Sequence, residues 1–441
     1  MLDALGVDSV DDLFRSVPAS LRNPAIDLPE PLAEQDLVAQ LERLAARNTP
    51  LTSYASFLGA GVYQRFSPAI VRATVSRPEF YTAYTPYQAE ASQGTLQTIF
   101  EFQSMIAALT GLDVANASLY DGATAAAEAM VLAAAATGRD RIAVAGTLHP
   151  ETLRVLRTFA NGRRITLDVI GGDGGVLDVA TLSAAVTGAH AAVLVQQPDF
   201  FGAVHDFRPS VAAAHAAGAL AICSADLFAC SVLASPGEVG FDVAVGDGQP
   251  LGIPASFGGP HVGFMAVTQQ LTRRIPGRLA GMTMDALGRR AFTLTLQARE
   301  QHIRREHATS NICTNHALIA LAATSYMAHM GAGGMRRVAV ISAQRAHHLA
   351  QQLGDLDGFE RAGADAAYLW EFTLRCPGDA SDFARALRAQ GIIAGLPLGS
   401  IDPALSDRLL VCCTELSPPE SIARYVQAAS AYSRRPVGAR V

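Results

Sequence analysis

The apolar residues of this 441-residue chain change their spacing along its length, and each change marks an element. Over 95–110, Leu96, Ile99, Phe102, Ile106 and Leu109 recur on one face, which predicts a helix with Gly111 as its stop. An Ala-rich stretch over 124–137, closed by Gly138, predicts a second helix. Short apolar runs then read as strands at 142–145, 165–170, 191–195, 219–223, 242–246 and 262–267. Helical patterns fill the first three gaps, near 150–159, 178–186 and 209–217, and the later gaps read as loops. Repeated βα units call for a largely parallel sheet covered on both faces. Two long helical patterns follow at 312–330 and 335–353. The tail reads as a smaller α+β region: strand 368–376, helix 381–390, strands 392–396 and 409–413, helix 419–432. Ahead of all this, two short helical patterns flank the Pro-rich stretch 23–31. The expected organisation is an N-terminal arm over 1–50, a large α/β domain over 51–310, and connecting helices with a small C-terminal domain over 311–441.

Composition narrows the function. Forty acids against 34 bases leave a net charge of −6, which argues against nucleic acid as a partner because phosphate binding needs clustered positive charge. Six cysteines show no CxxC and no zinc-like spacing, so reduced thiols and no metal are expected. The acidic start MLDALGVDSVDDLF resembles neither a secretory signal nor a transit peptide. No apolar run approaches the roughly 20 residues needed to span a bilayer. A soluble, cytoplasmic protein with no membrane partner is the expectation. One count matters more: all 34 bases are Arg. A chain without Lys cannot supply a Lys nucleophile, a Schiff base or a P-loop Lys.

The layout resembles the large and small domains of aspartate-aminotransferase-type pyridoxal phosphate enzymes. That resemblance implies four elements: a helix N-terminus for the phosphate, a ring stacked on the pyridine, an Asp beside its nitrogen, and a Schiff-base Lys. Asp121-Gly122-Ala123-Thr124 opens the Ala-rich helix where the phosphate belongs, and reads equally as an ordinary helix cap. His149 follows the strand at 142–145 as the stacking ring or a structural His. Asp226 follows the strand at 219–223 as the pyridine partner or a turn carboxylate. In the loop Gly246-Asp247-Gly248-Gln249-Pro250, Gln249 stands where the Lys is expected. An amide does not condense with an aldehyde to an imine, so Thr124, His149, Asp226 and Gln249 outline a vestigial site with no cofactor expected.

Longer motifs carry a sharper resemblance. Thr85-Pro86-Tyr87-Gln88 with Gln93-Gly94, the segment Leu109 to Ser118, and Gly248-Gln249-Pro250-Leu251-Gly252 with Phe257-Gly258-Gly259-Pro260-His261 are similar to the glycine cleavage system P-protein. So are the run from Leu296 to Glu306, its continuation Ala308 to Asn315, and Ile392 to Gly399. The similarity covers essentially the whole chain and is to the N-terminal half of that enzyme, a separate alpha subunit (subunit 1) in some bacteria and archaea. It implies a homologous beta subunit carrying the Lys and the pyridoxal phosphate, an alpha2beta2 heterotetramer, and an alpha subunit that is not catalytic alone. The reaction so implied decarboxylates glycine and passes the aminomethyl group to the lipoyl arm of H-protein. The chain departs from the family at Asp121-Gly122-Ala123-Thr124-Ala125, where many relatives read Asp-Glu-Gly-Thr-Ala, and at His307, where Lys is usual.

Two surface segments are the candidates for contact. Tyr81, Tyr84 and Tyr87, with Thr85 and Gln88, sit in a Pro-containing stretch without apolar periodicity, which reads as a presenting surface or a crossing loop. The similarity places Tyr84, Thr85, Tyr87 and Gln88 at the partner's active-site mouth. His302-Ile303-Arg304-Arg305-Glu306-His307 crowds charge onto a probable helix, a solvated face by residue type, and the similarity makes Arg304 and Arg305 partner contacts. Gln196 to Gly202 follows a strand end and reads as crevice wall or plain connection. Two further readings stand beside the subunit: a catalytically silent dock for a lipoylated carrier, and a self-sufficient pyridoxal phosphate lyase, which the missing Lys disfavours.

Overall fold

A computed structural model describes residues 1–363 and 365–434, so 435–441 of the expected C-terminal region lie outside the described residues. The chain divides into two compact units, Met1–Ser53 and Tyr54–Val441. The first holds a helical turn at Leu2–Leu5, a 3-10 turn at Val10–Phe14 and helix α1, Glu34–Ala45. Ser9 and Asp12 cap the 3-10 turn reciprocally, with Ser9 N–H donating to Asp12 Oδ2 at 2.9 Å.

The second unit is built on a seven-stranded sheet: β1 Val114–Ala115, β2 Arg141–Ala145, β3 Thr166–Ile170, β4 His190–Gln197, β5 Leu220–Ala225, β6 Val243–Asp247 and β7 Gly263–Val267. Their order is β1-β7-β6-β5-β4-β2-β3. The five strands from β6 to β3 pair in parallel, while β7 pairs antiparallel with both β6 and the edge strand β1. Helices cover both faces, and the two-residue side-chain period decides which strand residues meet which helices. Val144, Leu194 and Val243 pack with α3, Gly122–Thr137, and α4, Pro150–Arg163. Ala143, Val193 and Ala221 pack with α5, Val179–Ala185, and α6, Arg208–Ala216. The Ala run of α3 is buried from Ala125 to Ala133, because small side chains let this helix lie close on the sheet.

A second, antiparallel sheet has the order Glu360–Arg361, β10 Glu371–Arg375, β12 Arg408–Cys412, β11 Leu396–Pro397. It shares a core with α2, Gln93–Thr110, with α7, Ala317–Gly354, and with α8, Ala380–Arg388, and α9, Pro419–Ser433.

Several expectations need correction. The first of the two long helices starts only at Ala317, not at 312; the two are separated as expected, at Gly331, where φ 60° and ψ 176° break the helical path of α7. The strand expected at 392–396 is split. Ile392–Ile393 pairs with Ala55–Ser56, and Gly395, at φ 142°, turns the chain so that β11 joins β12 instead. The strand expected at 368–376 likewise gives Tyr368 to a short pairing with Ala203, and β10 begins only at Glu371. The probable helix around 302–307 is a single turn, Gln301–Arg304, ended by Arg305 at φ 52°. Absent from the expectations is the hairpin β8 Leu279–Met284 and β9 Arg290–Thr295. Its signals were Phe292 and Leu294 on one face and an Asp285-to-Gly288 turn, with Asp285 Oδ1 accepting from Leu287 and Arg289 N–H.

Leu194, fully buried in the centre of the sheet, provides a test of this core. Leu194→Ala is expected to lower unfolding free energy by about 2–5 kcal/mol, read from urea denaturation.

Candidate functional site

A cavity of about 320 Å³ opens at the C-terminal ends of the parallel strands, where open α/β sheets place ligands. Asp121, His149, Asp226, Asp247 and Glu371 line it, together with a crossing strand of chain, Ala60 to Tyr63.

At the start of α3, Asp121 Oδ1 accepts from Thr124 N–H at 2.7 Å and Asp121 N–H donates to Thr124 Oγ1 at 3.3 Å, a reciprocal cap. Gly122 N–H donates to Asp247 Oδ2 at 2.9 Å. Two of the protein's own carboxylates therefore sit against the positive end of the helix dipole, where an anionic ligand would otherwise be drawn. Burial raises the Asp247 pKa, opposed by the N–H groups of Gly122 and Gln249.

His149 begins α4. Its Nδ1 accepts from Glu151 N–H at 3.1 Å, which leaves Nε2 as the donor to Ala60 O at 3.0 Å. The ring meets Phe200 edge-on at 4.8 Å, and burial lowers its pKa, so the neutral form is favoured. Asp226 Oδ1 accepts from Phe228 N–H at 2.7 Å and Ala229 N–H at 3.1 Å, a turn carboxylate whose pKa burial raises, against the pull of Arg65. Thr124, His149 and Asp226 all take cap or turn roles.

Gln249 is the tightest of the four. It is 1% exposed, and its Oε1 accepts from Tyr63 N–H at 2.9 Å while Nε2 donates to Tyr63 O at 3.0 Å and to Ile253 O at 2.7 Å. The amide thus holds the backbone of Tyr63 across the crevice. Other side chains hold the same strap. Glu371 accepts from Ala60 N–H at 2.7 Å and from Tyr63 Oη at 2.8 Å. Glu415 accepts from Phe66 N–H and from Arg65 Nη1, each at 2.8 Å. The Arg65 guanidinium lies 4.2 Å from the Phe228 ring centre and 5.0 Å from that of Trp370. Gly61 must be Gly: at φ 89° a Cβ would meet His149 Cδ2 at 2.9 Å.

These residues do not fit a pyridoxal phosphate. The chain has no Lys, and among the described residues no Arg lines the cavity that would counter a phosphate. Asp199 adds a further carboxylate to its wall, and the helix N–H groups of Gly122 and Thr124 are already bonded to Asp247 and Asp121.

Of the crevice-wall segment, Gln196, Gln197, Pro198, Asp199 and Gly202 reach the cavity. Gln196 Oε1 accepts from His149 N–H at 2.8 Å. Sequence reasoning missed Glu371, Tyr63 and Arg65. For Glu371 a signal existed, a carboxylate within the apolar strand after Trp370; for the strap none did.

The surface candidates lie elsewhere. Tyr84 and Tyr87 are exposed, as are Gln88, Arg304 and Arg305, with Thr85 half-buried. Tyr87 and His302 come together, their rings 6.4 Å apart. The buried Arg278, also unforeseen, donates from Nη2 to Tyr87 Oη at 3.1 Å. Arg304 and Arg305 are not among the residues lining the cavity.

Comparison with known proteins sets this geometry in context. Residues 1–428 match the family model described as glycine cleavage system P-protein. The chain is 46% identical over 434 residues to a probable glycine dehydrogenase (decarboxylating) subunit 1 of Bacillus pumilus, covering 97% of this chain and 95% of the relative. A protein of the same name from Chlorobium chlorochromatii is 47% identical over 98% of this chain and 96% of its own. Among solved structures, a glycine decarboxylase (P-protein) of the glycine cleavage system, in inhibitor-bound form, superposes with TM-score 0.88 at 43% identity, covering 98% of this chain and 97% of that one. A sphingosine-1-phosphate lyase of Burkholderia pseudomallei aligns at TM-score 0.66 and 14% identity over 94% of each chain, which shows the fold alone. The fold is that of the pyridoxal-phosphate-dependent transferases.

Two outcomes test the site. Gln249→Lys removes the acceptor of Tyr63 N–H and buries a charge, so it is expected to lower unfolding free energy by about 2–4 kcal/mol in urea denaturation. Burial pushes the Glu371 pKa from an ordinary 4.5 up to about 7. Its contribution to stability is therefore complete below the unfolded value of 4.5 and is lost as pH rises through about 7. Glu371→Gln keeps an acceptor for Ala60 N–H and offers a donor to Tyr63 Oη, so urea midpoints at about pH 5 and about pH 8 should differ less in the variant than in the wild type.

Proposed function

The chain belongs to the glycine cleavage system P-protein family, and on that premise we propose that it is the alpha subunit (subunit 1) of a decarboxylating glycine dehydrogenase whose chemistry takes place on a homologous beta subunit. The name shared by its relatives, subunit 1, implies such a second subunit. The observation that carries the reading is Gln249. At the position expected for a Schiff-base Lys, the side chain is an amide spent on the backbone of Tyr63 and Ile253.

The beta subunit holds the pyridoxal phosphate, which when bound supplies an electron sink for the carbanion left by CO₂ loss. The two chains assemble as an alpha2beta2 heterotetramer that serves a lipoylated H-protein, the acceptor of the aminomethyl group. This chain's own residues shape and shield. Tyr84, Thr85, Tyr87 and Gln88 present polar groups at the mouth of the partner's site, where Arg278 fixes Tyr87 from behind, and Arg304 and Arg305 face the partner. Water exclusion and orientation are roles that exposed tyrosines on a braced loop suit, because an aromatic body carries its hydroxyl at little entropic cost. No helix of the described residues is long and apolar enough to cross a membrane.

The test is reconstitution. The isolated chain incubated with pyridoxal phosphate should yield no borohydride-trappable imine and no glycine-dependent CO₂ exchange, and Gln249→Lys should not create either. Addition of a homologous second chain that carries the Lys should restore exchange, and Tyr87→Ala should then reduce it about tenfold or more. Exchange by this chain alone would refute the reading. Recovery of H-protein alone, with no second chain of similar size, would favour the silent carrier dock.

A further inference from the structure

Tyr81, Tyr84 and Tyr87 look alike in the sequence and differ in the structure. Among the described residues the hydroxyls of Tyr81 and Tyr84 have no hydrogen-bond partner, whereas that of Tyr87 accepts from a buried guanidinium. Tyr87 itself is 55% exposed. The Arg278 side chain beneath it is only 4% exposed, and its one side-chain hydrogen bond goes to that hydroxyl. Arg278 Nε has no partner, and the carboxylate of Glu300, 6% exposed, stands 3.8 Å away from it. Glu300 Oε2 lies 3.6 Å from His302 Nδ1, and the His302 ring meets Tyr87 edge-on. Backbone contacts fix Arg278 in place. Ala117 N–H donates to Arg278 O at 2.9 Å, and Arg299 donates to Ile275 O and, from Nη2, to Gly277 O at 2.7 Å.

A buried cation that keeps so few of its hydrogen bonds is a costly way to hold a loop. What it confers is direction. A phenol oxygen that accepts from a cation still has its own proton to donate, and the neighbouring charge strengthens that donation. No acceptor among the described residues takes the Tyr87 proton, so it is offered outwards. A donor polarised in this way suits an anionic oxygen. At the mouth of the partner's site, glycine brings such oxygens in its carboxylate, while the dithiolane and amide of a lipoyl arm carry no charge. We propose that Tyr87 donates to the carboxylate of glycine and that Arg278 is its positioning residue, acting through the hydroxyl. This inference rests on the subunit reading above and on the place that reading gives the Tyr87 segment.

The experiment uses the full-length chain reconstituted with the Lys-carrying second chain, as wild type, Tyr87→Phe, Arg278→Gln and the double variant. Glycine-dependent CO₂ exchange is followed against glycine and against H-protein, with melting temperature and bound cofactor measured alongside. Tyr87→Phe removes an exposed hydroxyl and keeps the ring, so the melting temperature should stay the same. Its KM for glycine should rise about tenfold with kcat changed less than about threefold, and its KM for H-protein should not move. Arg278→Gln should raise the glycine KM in the same way, yet add nothing in the Tyr87→Phe background, since it acts through the hydroxyl. Should Arg278→Gln fail to fold, Tyr87→Phe still decides whether the donor matters. If the wild-type pair shows exchange and Tyr87→Phe keeps its glycine KM, the inference fails while the subunit reading stands. A change confined to the KM for H-protein, or a loss of bound cofactor, names a different acceptor and overturns it as well. Additive losses in the double variant overturn the role of Arg278. If the wild-type pair shows no exchange, the subunit reading fails and takes the inference with it.

Discussion

A single side-chain amide organises the crevice. Gln249 is both acceptor and donor, and it uses both capacities on Tyr63, closing a two-point contact with the N–H and C=O of that one residue. A Lys at the same place has donors only and cannot complete that pair. With Tyr63 held, its hydroxyl reaches Glu371, and Ala60 is brought under His149 and Glu371 together. Arg65 follows in the strap and settles between aromatic rings with Glu415 as counter-ion. Each of these contacts joins residues far apart in sequence, so the strap is held by the tertiary structure and in turn ties α4, β10 and the loop after β6 to one another.

The electrostatics of the crevice follow from the same closure. In a fold whose helix N-termini are suited to anions, the start of α3 is satisfied by Asp121 and Asp247. With Asp226 bonded to its own turn and Glu371 to the strap, the crevice wall is acidic, and no Arg lines it among the described residues. An anionic cofactor would meet carboxylates on several sides. The poor fit to an anionic cofactor is therefore a property of the whole site. On the proposed reading, a division of labour between two homologous chains accounts for this: one chain keeps the chemistry, and the other keeps the shape and turns its polar interior to holding itself together.

Much of the fold was legible. The helix over 93–110 announced itself through Leu96, Ile99, Phe102 and Ile106, and the buried parallel strands through unbroken apolar runs such as Ala191 to Val195. The candidate site was half legible. Gln249, Asp226 and His149 were found as residues, and the alternative roles of cap and turn were visible beside the catalytic ones. What could not be read was Glu371, 308 residues from the hydroxyl it accepts from, or the strap itself, whose residues carry no periodic pattern. The hairpin was missed because its strand β8 is largely exposed and its alternation resides in β9 alone. The two long helices were legible as two because Gly331 interrupts the pattern as well as the backbone.

By itself the sequence determined what this protein lacks and how its elements alternate. The absence of Lys is a fact of composition that no folding can reverse, and apolar periodicity is a local property that survives any arrangement of neighbours. Only the tertiary structure decided what the remaining residues do instead. A hydrogen-bonding group is defined by the partner it finds, and Gln249 finds its partner 186 residues away. Whether that amide was an idle relic or the clamp on a strap depended on packing across the crevice, which brings Tyr63 to it and leaves the carbonyl of Ile253 within reach.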